Sequence, residues 1–579
     1  MEKESNHPHE ARFAAFAVDL QAGELRKRGV RVRLQEQPFR MLSVLLERPG
    51  QVVTREELRQ RLWSGNTFVD FEHSLATAVK KLRRALGDSP AHPQFIETLP
   101  RRGYRFIATL KAKPRGGKPI LAVLPFENLT GDAGQEYFSD GMTEEMIARL
   151  GRLHPQRLGV IARASAIRYK NTDKDIDQIG RELGAEYILK GSASCAGDRV
   201  RITAELIQVK DRTHLWADRF EGGRDNEPAF HGAIARHVAR SLQIETPPAK
   251  SVSAVGASSA NPQAHGEFLR GRYCLNKGTA EGVKSAIAYF EEATSRDSTY
   301  AVAHAGLAVA LDLADHFRVL PGRLAFPRAK AAAMKALELN DSLPEAHNAL
   351  AFAKHSFDWD WAGAEQVYQR AIALNPNFAT ARHWHGLYLG MLGRVDEALA
   401  EMRRAQRLNP LSIIIRTHLG LMLHCGRRYD EAIEQLWQTL EMEPDFAAAH
   451  YFLGWAYEQK GMYEETITHL QKALIVSPDS PDRVGALGHA RAVFKTKGYA
   501  RKALEELHKL AQRRFVSAYD FAIVYVGMGE TDQAFQWLER ACEERSFSMI
   551  MSLKADPRLD RLRPDPRFQH LLRRVGLPP

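Results

Sequence analysis

Between residues 73 and 84 the stretch HSLATAVKKLRR places His73, Thr77, Lys80 and Arg84 three or four residues apart, with Ser74 and Lys81 beside them. At about 100° per residue this spacing gathers them on one side of a helix. Leu75, Val79, Leu82 and Leu86 recur on the other side and should anchor the helix to a core. A row of hydroxyl, imidazole, ammonium and guanidinium groups donates hydrogen bonds and positive charge, which is the chemistry of polyanion recognition. Lys and Arg reach guanine acceptors in a major groove, and hydroxyls reach base edges or phosphates. A solvated polar face is the ordinary alternative. Two features weigh against it: the charges in the second half of the helix are all positive, and a short helix and turn precede it in helix-turn-helix order. Downstream, Arg101 and Arg102 form a basic turn that would lie against the backbone or the adjacent minor groove.

The elements that must position this row are legible around it. Residues 12–34 alternate apolar and polar around Phe13, Phe16, Val18 and Leu20, then Val30, Val32 and Leu34, and read as short antiparallel strands broken at Gly23 and Gly29. Phe39, Leu42, Leu45 and Leu46 mark a helix that ends at Pro49-Gly50. Thr54 and Glu57 form a capping box that opens a short helix through Leu62 and Trp63. The basic helix stops at Gly87, and FIETLPRRGYRFIA reads as two strands joined by the basic turn. Residues 1–117 hold about 22 Lys and Arg against about 13 Asp and Glu, so roughly nine charges of the net +11 lie in the first fifth of the chain.

Residues 12–109 resemble the DNA-binding domain of the OmpR/PhoB winged-helix family, on the REELRQRLW helix, the HSLATAVKKLRRALG helix, the ETLPRRGYRF wing and above all the closing Arg102 to Phe106. The resemblance implies base contacts from the basic helix and backbone contacts from helix and wing. Carried over by position, it points to His73, Ser74, Thr77, Lys80, Lys81 and Arg84, with Thr98, Arg101 and Arg102 in or beside the wing. Ala78 stands where some relatives are polar, so a preferred DNA sequence does not transfer. Response regulators of this family place a receiver domain first, whereas about eleven residues precede the strands here. Phosphorylation control is therefore not expected, and the layout is closer to one-component, ToxR/CadC-like relatives.

LKAKPRGGK, residues 110–118, reads as a linker. Residues 118–245 then read as an α/β domain: PILAVLPF and LGVIA as strands, a helix at about 135–151, three further strands within 186–221 and a helix near 227–243. ILAVLPFENLTGDAGQEYFSDGMTEEMIARL and LGAEYILKGSASCAGDRVRITAELIQ resemble a TolB amino-terminal-like module. Residues 246–262 are rich in small residues and proline and read as a flexible linker. From 263 to 545 the chain repeats. Gly386, Gly420, Gly454 and Gly488, then Pro376, Pro410, Pro444 and Pro478, and also Ala398, Ala432 and Thr466, recur every 34 residues, the tetratricopeptide period. About eight helix pairs in a right-handed superhelix follow, with residues 546–579 as a capping segment.

Enzyme and metal chemistry find little support. Asp140, Glu144 and Glu145 lie together, but carboxylates at a helix start are favoured by its dipole. Gly116-Gly117-Lys118 lacks the spacing and hydroxyl of a P-loop. His383 and His385 sit two apart on a helix and face different ways. The four cysteines, Cys195, Cys274, Cys425 and Cys542, form no CxxC pair and read as reduced thiols. Trp359, Trp361, Trp384, Trp437 and Trp455 read mostly as filling between stacked helices, with a peptide groove as the alternative. No apolar run approaches the roughly 18 residues of a membrane span, and the polar opening MEKESNHPHE lacks a signal-peptide core. The expectation is a multidomain protein: a winged helix-turn-helix (α+β), an α/β domain, then an all-α tetratricopeptide-repeat superhelix. It is expected to be a cytoplasmic, non-catalytic transcription regulator without cofactor or metal. Its partners would be double-stranded DNA, a protein bound through the repeats, and a second copy on repeated half-sites, with no membrane. The competing expectation is a repeat scaffold whose main role is protein binding.

Overall fold

The computed structural model of the chain describes residues 10–13, 16–19, 24–27, 30–32, 34–48, 50, 52–62, 71–90, 93–100, 102–108, 118–132, 135–197, 199–223, 226–244, 261–317, 319–494 and 497–577. It divides into two units, residues 1–118 and 119–579.

In the first unit, β1 (Glu10–Phe13), β2 (Phe16–Asp19), β3 (Glu24–Lys27) and β4 (Val30–Val32) form an antiparallel sheet in sequence order. Val18 faces Leu25 across the ladder and both are buried, so the period-two pattern sets the register. Helix α1 (Glu36–Glu47) buries Phe39, Leu42, Leu45 and Leu46. Strand β5 (Val52–Thr54) leads into α2 (Arg55–Leu62), whose Glu57 N–H donates to Thr54 Oγ1 at 3.1 Å, as the capping pattern predicts. Trp63 lies outside the described residues. Helix α3 (Phe71–Leu86) is followed by β6 (Ile96–Leu99) and β7 (Gly103–Phe106), which pair with β5 in the order β5-β7-β6. The Phe16 ring meets Phe95 edge-on, with centroids 5.7 Å apart, and ties the first sheet to the wing.

The second unit opens with a mixed sheet in the order β10-β8-β11-β12-β13. Its strands are β8 (Ile120–Val123), β9 (Glu127–Asn128), β10 (Gly159–Val160), β11 (Tyr187–Ala196), β12 (Arg199–Gln208) and β13 (Thr213–Gly223). β8 runs parallel to β10 and β11 and is buried on both faces, which is why it reads as a continuous apolar run. The helices are α4 (Glu136–Leu153), α5 (Arg163–Ala166), α6 (Ile176–Leu183) and α7 (Glu227–Ser241). Sequence reading passes over α6, although its punctuation is present: Asp175 accepts from the Gln178 N–H at 2.7 Å, and Gly184 closes the helix at φ +63°. The carboxylates Asp140, Glu144 and Glu145 lie in the second and third turns of α4 rather than at its start. Cations hold two of them instead of the helix dipole. Lys170 donates to Asp140 at 2.7 Å, and Arg272 pairs with Glu144.

The repeats comprise eight helix pairs among the described residues: α8 (Pro262–Leu275) with α9 (Ala280–Arg296), α10 (Ala301–His316) with α11 (Gly322–Leu339), α12 (Pro344–Ala353) with α13 (Trp361–Leu374), α14 (Ala379–Met391) with α15 (Val395–Leu408), α16 (Ile413–Cys425) with α17 (Tyr429–Met442), α18 (Ala447–Gln459) with α19 (Tyr463–Val476), α20 (Pro481–Val493) with α21 (Lys497–Ala511), and α22 (Ala518–Met528) with α23 (Thr531–Glu543). The 34-residue period has a steric origin. A Cβ on Gly420 or Gly454 would stand 2.6 Å from the side chain of Leu436 or Leu470, so a larger residue would force the leucine or the paired helix to shift. Ala398, Ala432 and Thr466 are fully buried at the same level. A second periodic device is polar: Arg382, Arg416 and His450 each donate a side-chain N–H to the carbonyl of Pro376, Pro410 and Pro444, six residues earlier. His383 lies 2.7 Å from the ring of His418, one repeat on.

The two parts of this unit are joined by direct hydrogen bonds. Ser165 Oγ donates to Asn409 Oδ1 at 2.6 Å, and Asn377 Nδ2 donates to the carbonyls of Gly151 and Leu158. The expected linker, residues 246–262, lies outside the described residues apart from Asn261 and Pro262. At the other end, α24 (Phe547–Leu553) and α25 (Pro566–Arg574) do two things. Arg567 binds Asp532 and covers the Phe535 ring of α23. The rest of the segment turns back along the repeats. Trp361 Nε1 donates to the Val575 carbonyl at 2.7 Å and Arg427 binds Asp560, while Arg545, just before the segment, stacks on Trp359. Trp361, Trp384 and Trp455 are buried, while Trp437 is exposed.

Candidate nucleic-acid interface

Helix α3 buries Leu75, Ala78, Val79, Leu82 and Leu86, all at 3% exposure or less. Each large apolar side chain taken from water stabilises the unit by about 2 kcal/mol. Turning the helix to hide its basic row would forfeit most of that, so the leucines fix which face points out. Lys80, Lys81 and Arg84 are accordingly exposed, and Ser74 and Thr77 lie half-buried at the edge of the same face. The backbone of His73 belongs to α3, and its side chain lies outside the described set. Arg83 and Arg84 in the last turn also complement the negative end of the helix dipole.

Thr98 is exposed on β6 and Arg102 is exposed at the wing turn, while Arg101 lies outside the described residues. Gly103 explains why the RGYRF signature needs its glycine. A Cβ there would stand 2.1 Å from the Val53 carbonyl oxygen, where β7 crosses β5. Tyr104 and Phe106 point into the core, while Arg105, between them, binds Glu97 of β6 at 2.6 Å. The strand therefore alternates core and surface, and its turn presents Arg102 outward.

What separates these cations from the others is their pairing. Arg40 binds Glu36, Arg48 binds Glu57, Arg59 lies 3.8 Å from Glu56, and Arg61 binds Glu47. Among the described residues of the first unit, Lys80, Arg84 and Arg102 have no side-chain hydrogen bond or ion pair. Lys81 is a partial exception, since its ammonium donates to Gln35 Oε1 at 2.7 Å. Two residues that sequence reasoning missed shape the site. Arg83 turns inward and donates to the Ile96 carbonyl at 2.7 Å and to Thr98 Oγ1 at 2.9 Å, which joins helix to wing. Asp88 accepts from the backbone N–H groups of Gln94 and Ile96 at 2.7 and 2.9 Å and pins the connecting loop. A helical projection sets Arg83 beside Arg84 without distinguishing them. The Asp88 side chain just after Gly87 is the kind of turn former that could have been found.

Residues 29–106 match the family described as "Transcriptional regulatory protein, C terminal", residues 117–236 match "HilA/YgeH-like transcriptional regulator, second domain", and residues 360–413 and 426–481 match "Tetratricopeptide repeat". The α/β segment whose motifs resemble TolB is thus described by the HilA/YgeH-like family. Among similar proteins, "Putative adenylate cyclase 3" of Rhizobium meliloti is 30% identical over 310 residues, 53% of this chain and 51% of that protein. That length exceeds the 118 residues of the first unit, so the likeness extends well into the second. "Transcriptional regulator HilA" of Salmonella paratyphi A is 23% identical over 67% of this chain and 68% of its own. "Cholera toxin homolog transcriptional activator" of Vibrio parahaemolyticus is 41% identical over 80 residues, 14% of this chain and 27% of that protein. The chain spans about half the length of the first of these and about two thirds of the second. It carries a winged helix of the OmpR/PhoB class, a HilA/YgeH-like second domain and tetratricopeptide repeats, and it is a homologue of bacterial transcription regulators.

Proposed function

We propose that the chain is a sequence-specific, non-catalytic transcription regulator that acts in the cytoplasm, docking α3 in the major groove and the β6–β7 turn on the flanking backbone. The observation that carries this reading is the segregation of unpaired cations. Among the described residues, Lys80 and Arg84 on α3, with Arg102 at the wing turn, stay free, while Arg40, Arg48, Arg59, Arg61 and Arg105 are neutralised by carboxylates. Thr77 and Ser74 border the basic row and supply hydroxyls for base edges or phosphates. His73, Lys81, Thr98 and Arg101 complete the proposed contact set. Two copies would occupy repeated half-sites, and the repeats would engage a protein partner.

The test is a mobility-shift titration of the full chain on a mixed-sequence duplex, with and without the double charge reversal Lys80→Glu/Arg84→Glu. Binding should weaken at least about tenfold, because two phosphate-facing cations become repulsive. The slope of log affinity against log salt should also fall by about two, one for each lost contact. Unchanged affinity and slope reject this interface.

A further inference from the structure

Between α4 and α7 on one side and α8, α10 and α12 on the other lies a cavity of about 610 Å³, within the size range of small-molecule sites. Phe268, Phe290, Tyr300 and Val309 give it an apolar side. Its polar side is under-used. Asn348 is fully buried, yet neither its Oδ1 nor its Nδ2 has a hydrogen-bond partner. The buried Nε atoms of Arg149 and Arg152 are likewise unpartnered. Nε2 of His231 has only Glu227 at 3.8 Å, beyond hydrogen-bond reach. Unmet buried donors and acceptors destabilise the fold unless something pairs with them. Their convergence on one space is the arrangement a polar ligand would satisfy.

Charge narrows the ligand class. Four glutamates and four arginines line the cavity, so neither a simple anion nor a simple cation meets a complementary field. Most of these charges already have partners: Arg272 binds Glu144, and Arg152 lies 3.9 Å from Glu345. Glu145 and Arg149 stand apart. They are one turn from each other on α4 and both line the cavity, yet no ion pair joins them. Glu145 reaches only Arg272, at 4.0 Å, and Arg149 has no ion-pair partner among the described residues. Burial pushes the Glu145 carboxyl up, but the surrounding His231 and arginines pull it further down, so it stays a carboxylate. Opposite charges one turn apart on one helix face, on side chains whose Cβ atoms stand about 6 Å from each other, can be bridged by a molecule that carries both.

We propose that this cavity binds a small zwitterion with an apolar side chain, a free α-amino acid or a very short peptide, its carboxylate on Arg149, its ammonium on Glu145 and its side chain against Phe290 and Tyr300. Asn348 would take the remaining polar group. Because the walls come from both the α/β part and the first four repeats, occupancy would clamp the two together. Only the regulatory meaning of that clamp rests on the transcription-regulator reading. Binding itself is measured without DNA.

The test is isothermal calorimetry and thermal shift on the full chain. The probes are L-leucine, L-phenylalanine and the dipeptide Leu-Phe, with N-acetyl-L-phenylalanine and L-phenylalaninamide as analogues lacking one charge. At least one zwitterion should bind saturably and raise Tm, with the amino-acid and dipeptide arms telling the two sources apart. Each capped analogue should bind at least about tenfold more weakly, the loss of one charged hydrogen-bonding group. Arg149→Gln and Glu145→Gln should show the same loss with unchanged circular dichroism. Should either variant misfold, the capped analogues on the unaltered chain decide. Capped analogues binding as tightly as their parents, or no Tm change with any of the zwitterions, overturns the proposal. A Lys80→Glu/Arg84→Glu chain that no longer shifts DNA but still binds the zwitterion keeps the two readings separate.

Discussion

A single glycine decides whether the wing can close. The missing side chain at Gly103 leaves room for the Val53 carbonyl, and any Cβ would have to displace backbone rather than a flexible side chain. Gly103→Ala is therefore expected to cost about 3 kcal/mol, the upper range for overpacking at a site that cannot relax. Hydrogen exchange on the full chain provides the check: amide protection of Val52–Thr54 and Gly103–Phe106 should fall while that of the repeats is unchanged. Equal protection in the variant would mean that β5 and β7 can separate without loss. The cations on α3 differ among themselves at this scale too. Lys81 already holds Gln35, so releasing it for a phosphate costs a hydrogen bond that Lys80 and Arg84 do not have to give up.

Among the elements, α3 and the wing act as one body because Arg83 bridges them. Its guanidinium reaches the Ile96 carbonyl and Thr98 Oγ1 together, a two-point contact that lysine cannot copy. Arg83→Lys and Arg83→Ala should therefore weaken DNA binding alike, by about fivefold for the loss of roughly 1 kcal/mol of positioning. Both should leave the salt slope unchanged, since Arg83 contacts protein rather than phosphate. A slope that drops by one in Arg83→Ala but not in Arg83→Lys would make Arg83 a phosphate ligand instead. The contrast marks what was legible in the sequence. The apolar period of α3, the capping box at Thr54 and the RGYRF wing are local patterns, and all three lie where their spacing put them. The inward turn of Arg83 depends on a strand thirteen residues away in the chain, which no helical projection contains. The same reason hid the cavity, whose walls come from segments as far apart as Tyr137 and Asn409.

Across the second unit, the 34-residue period makes the helix pairs between residues 376 and 488 predictable, but contacts between distant repeats escape it. The clearest example is the return of the carboxy-terminal segment. Asp556 and Arg558 form a buried ion pair at 2.6 Å, both at 5% exposure or less, and the guanidinium lies 3.3 Å from the centre of the Trp455 ring, about a hundred residues earlier. Arg545 on Trp359 and Trp361 on the Val575 carbonyl extend the same attachment to the third repeat. A buried pair of this kind has little net worth when both charges are present, because desolvation offsets attraction. Removing one partner is another matter, since it strands the other in a place without water. Asp556→Ala is expected to destabilise the repeats by about 3–5 kcal/mol, seen as a lower midpoint in denaturant unfolding of the full chain. Replacing both, as Asp556→Ala/Arg558→Met, should restore much of the loss, because a flexible apolar side chain can still cover Trp455. If the double variant is as weak as the single one, the segment is held by the carboxylate's own contacts with the backbone N–H of Arg558 rather than by charge balance, and its attachment to Trp455 is incidental.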